Sequence, residues 1–283
     1  MFKMKFYGLA TLVCALLYVL FAGTGCERAK KLLPQTKPIL LENVKPDDFQ
    51  GEWVNKKYIT ILRETRSPFK AQIATSGVSQ VSVTRKFQSN GITIIRNMHS
   101  GGVMQADFDP YTSVISLNSN TAQNIKSGAT LTLLKIGSDT LLSVKEIGGG
   151  KDKEAASIHQ LKKISTHLET FENFLNRELF SGSYSVSGAA AKSLKGSIFA
   201  MLSNGKVMGH RQFKNYRVWF DFNDDVPQMD VIIFKTFSGK QIWCTWKLAN
   251  RKLTFYRLLK QGKQMTSEAK IGNPEISLIA LDR

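Results

Sequence analysis

The residues able to make bonds or hold metals are few: three cysteines, four histidines and two acidic clusters. Cys14, Cys26 and Cys244 form no C-x-x-C pair. His99, His159, His167 and His210 include no H-E-x-x-H pair, so a zinc signature is missing. No histidine accompanies a nucleophile motif such as G-x-S-x-G. Asp107-Phe108-Asp109 and Asp221-Phe222-Asn223-Asp224-Asp225 could offer oxygens to Ca²⁺. They lack EF-hand spacing, and Asp and Asn are ordinary turn formers. Gly148-Gly149-Gly150 lacks the Walker spacing of a phosphate loop. The expectation is a chain with no catalysis, no metal and no cofactor. A hydrolase would need a cleft joining His210 or His99 to a carboxylate or hydroxyl. Cys244, in Ile242-Trp243-Cys244-Thr245-Trp246, reads as a small buried apolar residue.

Cys26 is the exception, because of what precedes it. Lys3 and Lys5 open the chain, and residues 6–23 carry no charge. A basic start before an apolar stretch is the pattern of an export signal. The stretch is also long enough for an uncleaved membrane anchor. Ala22-Gly23-Thr24-Gly25-Cys26 places small residues directly before the cysteine and resembles the lipobox of bacterial lipoproteins. Gly23 stands where that family usually has an apolar residue such as Leu. The resemblance implies removal of a signal peptide, residues 1–25, and a diacylglycerol on the Cys26 thiol. It also implies a membrane partner through that lipid. The acyl chains would anchor the protein, each buried CH₂ contributing about 0.8 kcal/mol. Glu27-Arg28-Ala29-Lys30-Lys31 follows, without the acidic stretch of surface-exported lipoproteins. The expected location is the bacterial cell envelope, lipid-anchored, on the outer membrane facing the periplasm.

The whole chain has 283 residues, 42% of them apolar, with 39 Lys+Arg against 22 Asp+Glu. That suits one or two globular domains and excludes an acidic solvating chain. The net charge of +17 is spread through the chain and is densest at Lys240, Lys247, Arg251, Lys252, Arg257, Lys260 and Lys263. It fits a solvated face, or attraction to anionic headgroups or envelope polysaccharide. An exported chain without a recognition motif gives no reason to expect nucleic acid.

The elements that would position a site come from an internal repeat. Phe49-Gln50-Gly51-Glu52-Trp53 and Phe180-Ser181-Gly182-Ser183-Tyr184 share the form F-x-G-x-aromatic. Ser89-Asn90-Gly91 precedes Asp107-Phe108-Asp109 by the same interval that separates Ser203-Asn204-Gly205 from Asp221-Phe222-Asn223. The first copy is longer after its opening glycine. Its extra length coincides with residues 58–73, where a short helix is expected to end at Pro68. This insertion is either a lid or a plain connection. Residues 26–47, with Pro34, Pro38 and Pro46, read as a tether. Strands are expected over 81–87, 92–97, 130–136 and 141–147, then over 198–202, 206–213, 216–222, 229–237, 240–248 and 252–259. Asn90-Gly91 and Asn204-Gly205 should be hairpin turns. Residues 166–179 place Leu168, Phe171, Phe174, Leu175 and Leu179 on one helical face, with Ser165 or Thr166 as N-cap.

Gly51-Glu52-Trp53, echoed by Gly182-Ser183-Tyr184, resembles the G-x-W of the lipocalin and wider calycin family. The fold this implies is all-β: two tandem small antiparallel β-barrels (lipocalin-like) joined by one helix, preceded by a signal peptide and tether. The domains would be residues 48–164 and 165–283. In that family the opening aromatic closes the barrel floor, often against a basic residue of a late strand. Trp53 and Tyr184 would then be structural.

Residues 213–256 hold three of the four tryptophans. Period-two alternation puts Phe220, Phe222, Phe234, Trp246 and Phe255 on faces that would line the second barrel. They are the candidate contacts for a lipid-like small molecule, or else a solid core. Trp219, Trp243 and Tyr256 would face outward. Two functions follow. One is non-catalytic binding of an apolar or amphipathic molecule. The other is an interaction module with filled barrels, meeting an envelope protein or anionic glycan through a basic aromatic surface.

Overall fold

A computed structural model describes residues 37–96, 100–118, 128–147, 157–165, 170–189, 197–222, 228–259 and 269–281. Residues 38–283 form one compact unit. The signal and lipidation expectations, Cys26 included, fall on residues 1–36, outside the described residues.

In the first half a two-residue strand, β1 (Ile39–Leu40), and a 3-10 turn (Pro46–Phe49) precede eight strands. These are β2 (Gly51–Asn55), β3 (Val78–Val83), β4 (Ile92–Arg96), β5 (Ser100–Asp109), β6 (Val114–Asn118), β7 (Gly128–Ile136), β8 (Asp139–Ile147) and β9 (Ile158–Ser165). They pair antiparallel in chain order, and β9 returns to β2, which closes an eight-stranded barrel. β1 adds to β7. The interior follows from alternation. Val81 and Val83, Ile92 and Ile94, Ile115 and Leu117 are all buried in one aliphatic core around Trp53.

The second half repeats the path with β10 (Gly182–Ala189), β11 (Ile198–Met201), β12 (Val207–Met208), β13 (Phe213–Val218), β14 (Ile232–Thr236), β15 (Gln241–Ala249), β16 (Lys252–Leu259) and β17 (Lys270–Ala280). β17 returns to β10. Here the expectation of a second closed barrel fails. No ladder joins β12 to β13; one isolated bridge, Lys206–Asn215, links them. The cause is length. The corresponding β4–β5 ladder runs from Ile92–Met104 to Arg96–Ser100, whereas β12 has two residues before Gly209 turns the chain at φ +80°.

Other expectations shift for local reasons. The strand expected over 81–87 stops at Val83, and Phe87–Asn90 forms a helical turn. Asn90-Gly91 is therefore a helix end, with Gly91 at φ +75°, while Asn204-Gly205 is a hairpin turn between β11 and β12. The strands expected over 206–213 and 216–222 are replaced by β12 and β13, and the latter ends at Val218.

Four helices are present among the described residues: α1 (Lys56–Thr65), α2 (Pro68–Ile73), α3 (Phe87–Asn90) and α4 (Phe171–Leu179). The insertion in the first half is thus two helices. Asn55 caps α1, its Oδ1 accepting from Lys57 N at 2.9 Å. Pro68 does end α1, and it also opens α2 at the first helical position, behind the Ser67 cap. α4 starts later than expected: Thr170 is its cap, Ser165 lies in β9, and residues 166–169 lie outside the described residues.

The insertion is built into the second half. Tyr58, Ile59 and Leu62 of α1 and Ala71 of α2 belong to one continuous core with Phe174 and Leu175 of α4 and Phe234 and Phe255 of the second sheet. Ser67 Oγ and Phe69 N both donate to Asp230 Oδ1, at 2.9 and 3.0 Å. Arg63 is paired with Glu178. Arg66 donates to the carbonyls of Glu178 and Leu179, the orphan acceptors at the C-terminus of α4.

Candidate functional site

The repeated F-x-G-x-aromatic motif makes the same contact twice. Trp53 Nε1 donates to Phe49 O at 2.7 Å, and Tyr184 Oη donates to Phe180 O at 2.6 Å. Each aromatic therefore ties down the carbonyl four residues behind it, at the same end of its sheet. The two ends then diverge. In the first, Lys163 of β9 pairs in register with Trp53, lies over its ring at 4.6 Å and donates to Asp48 O at 3.0 Å. Burial holds the Lys163 ammonium below its ordinary value. In the second, the residue in register with Tyr184 is Ala280.

Beside Ala280 lies an apolar pocket of about 360 Å³, at the lower end of the range for ligand pockets. Leu179, Phe180, Tyr184 and Leu253 are its buried walls; Trp246 is half-buried and Leu248 is exposed. Trp246 is held edge-on to Phe180 at 5.0 Å. Two arginines complete the lining, Arg66 and Arg251. Both have left-handed backbone, φ +55° and +63°, a region that costs an ordinary residue about 1–2 kcal/mol. Arg66 reaches the pocket from the α1–α2 corner, so the insertion borders the site without being a separate lid. Arg251 sits in the two-residue turn Asn250-Arg251 between β15 and β16, both at φ > 0. The corresponding turn of the first barrel is Gly137-Ser138. The matching depression there, about 490 Å³, mixes apolar residues such as Leu41, Val44 and Leu133 with the charged Glu42, Asp48 and Lys163.

No family model matches this chain, and neither does a curated protein or a solved structure. The site is read from its own chemistry.

Of the residues expected to line an interior cavity, Trp246 lines the pocket. Phe234 and Phe255 are in the solid core, their rings 5.1 Å apart. Phe220 and Phe222 lie beyond the end of β13, so alternation no longer governs them. Phe220 packs edge-on to Phe171 of α4 at 5.1 Å, and Phe222 to Phe69 of α2 at 5.2 Å. Trp219 and Trp243 do lie on the outer side of the second sheet, half-buried, 5.6 Å apart. They cover Val231, Ile233 and Leu258, with Arg217 over the Trp219 ring. Pattern and spacing do not single out Arg66, Arg251 or Ala280 as site residues. The one signal they carry is an arginine in a tight turn where the other copy has Gly137-Ser138.

The two described histidines, His210 and His159, are accounted for locally. His210 Nδ1 accepts from Gln212 N and Phe213 N at 3.1 and 3.0 Å, and its ring stacks on Phe213. Burial lowers its pKa. His159 Nε2 is 3.0 Å from Glu146 Oε2 and 3.2 Å from Ser157 Oγ. Both partners meet the same ring nitrogen, so the ring cannot relay a proton from hydroxyl to carboxylate as a triad requires. His99 and His167 lie outside the described residues. Asp109 accepts from Tyr111 N and Thr112 Oγ1, a turn. Among the described residues no group of three His, Cys, Asp or Glu side chains could hold a metal. Cys244 is buried, and burial, with Glu275 adding to it, pushes its thiol up to about 12, which makes it a poor nucleophile.

Glu146 gives a pH test of the first barrel. Its hydrogen bond to His159, then Arg96 at 2.7 Å, lower its carboxyl from 4.5 to about 2. A lowered folded pKa stabilises fully above the unfolded value, and the gain disappears as pH falls through the folded one. Glu146→Gln is expected to cost on the order of 2 kcal/mol at pH 7. The gap between variant and parent should close between pH 4.5 and 2. Denaturant melts across that range check it; a gap independent of pH would refute the assignment.

Proposed function

We propose that the protein is a lipid-anchored envelope lipoprotein, acylated at Cys26, that binds an apolar or amphipathic small molecule without catalysis. The observation that carries the binding reading is the pocket at the end of the second sheet, with Tyr184, Trp246 and Leu253 as apolar walls. The interior of the first barrel and the concave face of the second sheet are both packed with side chains, so the ligand sits at the end of the second sheet. The lipocalin resemblance would close that end. The envelope location rests on the N-terminal pattern alone. No helix of the described residues is long and apolar enough to cross a membrane.

Native mass spectrometry of the chain purified from its producing cells, run beside a solvent-extracted sample, tests the binding. A discrete extra mass removed by extraction is expected. A bare mass that stays unchanged after incubation with a lipid extract would overturn it. Intact mass also tests the anchor: Cys26→Ser should lose the acyl increment.

The second reading is an interaction module. Its support is the outer cluster of Trp219, Trp243 and Arg217, an aromatic and cationic patch, with exposed Lys247 further along the same face of β15. It predicts that Trp243→Ala abolishes capture of an envelope glycan while the pocket's ligand is retained.

A further inference from the structure

We infer that the pocket beside Ala280 selects an anionic amphiphile, holding an oxyanion headgroup between Arg66 and Arg251 while the alkyl chain lies against Tyr184, Trp246 and Leu253. This rests on the binding reading above and goes on to name the ligand class.

The two copies supply the contrast. At the end of the first barrel the aromatic of the motif is already covered by a cation of the chain itself, Lys163, and the surrounding depression carries Glu42 and Asp48. At the same end of the second half, alanine replaces that lysine, and none of the nine residues lining the pocket is acidic. A pocket whose charged members are both cations favours a negative ligand.

Both cations are placed at a backbone cost. Arg66 and Arg251 adopt left-handed conformations, and the equivalent turn in the first copy uses Gly137-Ser138 at the same two positions. Strained backbone concentrates where a side chain must be aimed. The guanidinium of Arg66 is itself fixed, because it donates to the last carbonyls of α4. Guanidinium is the cationic side chain best matched to a carboxylate or a phosphate. The small volume, about 360 Å³, limits the apolar part to a short or partly inserted chain.

The test compares octanoate, octyl phosphate and the neutral 1-octanol on the full chain by calorimetry, with acetate and inorganic phosphate as headgroups lacking a tail. At least one of the two anionic amphiphiles should bind about tenfold more tightly than octanol, and the tail-free anions should bind more weakly than either. The relative affinities of octanoate and octyl phosphate separate a fatty acid from a phospholipid-like source. Arg251→Gln, on an exposed turn, should remove the preference for the anions over octanol. Arg66→Gln should do the same, although it also uncaps α4; the Arg251 variant is the decisive one because it leaves the core alone. Ala280→Phe, which fills the pocket without changing charge, should abolish binding of all three. Equal affinity for octanol and both anions would overturn the headgroup assignment and leave the binding reading standing. No binding by any of the three would overturn both. A preference that survives in Arg251→Gln would overturn the role of that arginine.

Discussion

Trp53→Ala is expected to lower stability by about 3–5 kcal/mol, the range for deleting a fully buried large aromatic. Trp53 is wholly buried in the middle of β2, in the core of the closed barrel. Its removal leaves a cavity among Phe49, Val81 and their neighbours, takes the donor from Phe49 O, and uncovers the Lys163 ammonium. Trp53→Phe separates these effects. It keeps most of the buried area and loses the hydrogen bond, so about 1–3 kcal/mol should be lost. Guanidinium unfolding measures both. An alanine variant within about 1 kcal/mol of the parent would show that the motif does not hold the barrel end together.

Gly51→Ala should be the more damaging of two formally equivalent substitutions. Gly51 has φ +126°, and a Cβ there would meet the carbonyl oxygen of Ser165 at 2.4 Å. That oxygen belongs to β9, the strand that closes the barrel on β2, so it cannot retreat without opening the seam. The loss should be about 3 kcal/mol or more, from backbone strain and clash together. Gly182 has the same place in the second copy, at φ +153°, but a Cβ there meets nothing within 4 Å. Gly182→Ala should therefore cost only the strain, about 1–2 kcal/mol. Comparing the two midpoints tests the assignment, and a reversed order would refute it.

The motif residues themselves are legible in the sequence. Alternation exposes which strand faces are apolar, and two short patterns at matching intervals reveal a duplicated meander. The mainly β character and the closed first barrel follow from that. What stays hidden depends on contacts distant in the chain. Whether β12 pairs with β13 is decided by where Gly209 turns the chain, which alternation does not encode. Phe220 and Phe222 look like interior residues until the strand stops at Val218; their rings then find α4 and α2, helices from other parts of the chain. The pocket is hidden for the same reason. Arg66, Arg251 and Ala280 belong to a helix corner, a hairpin turn and the last strand, and nothing in their local sequence announces that they meet. Only register against the first copy, where Lys163 occupies the position of Ala280, shows what is different about that end.

The sharing of one core by α1, α2 and the second half sets a timetable for synthesis. When Tyr58, Ile59 and Leu62 leave the ribosome, the side chains that cover them, among them Phe174, Phe234 and Phe255, have not been made. At about 5–20 residues per second, roughly 10–40 s pass before β17 completes the sheet. During that interval the first barrel can close around Trp53 while the apolar side of its helical insertion stays bare. A nascent chain halted between the two halves would carry a finished barrel with a sticky flank, the kind of species that holdase chaperones recognise.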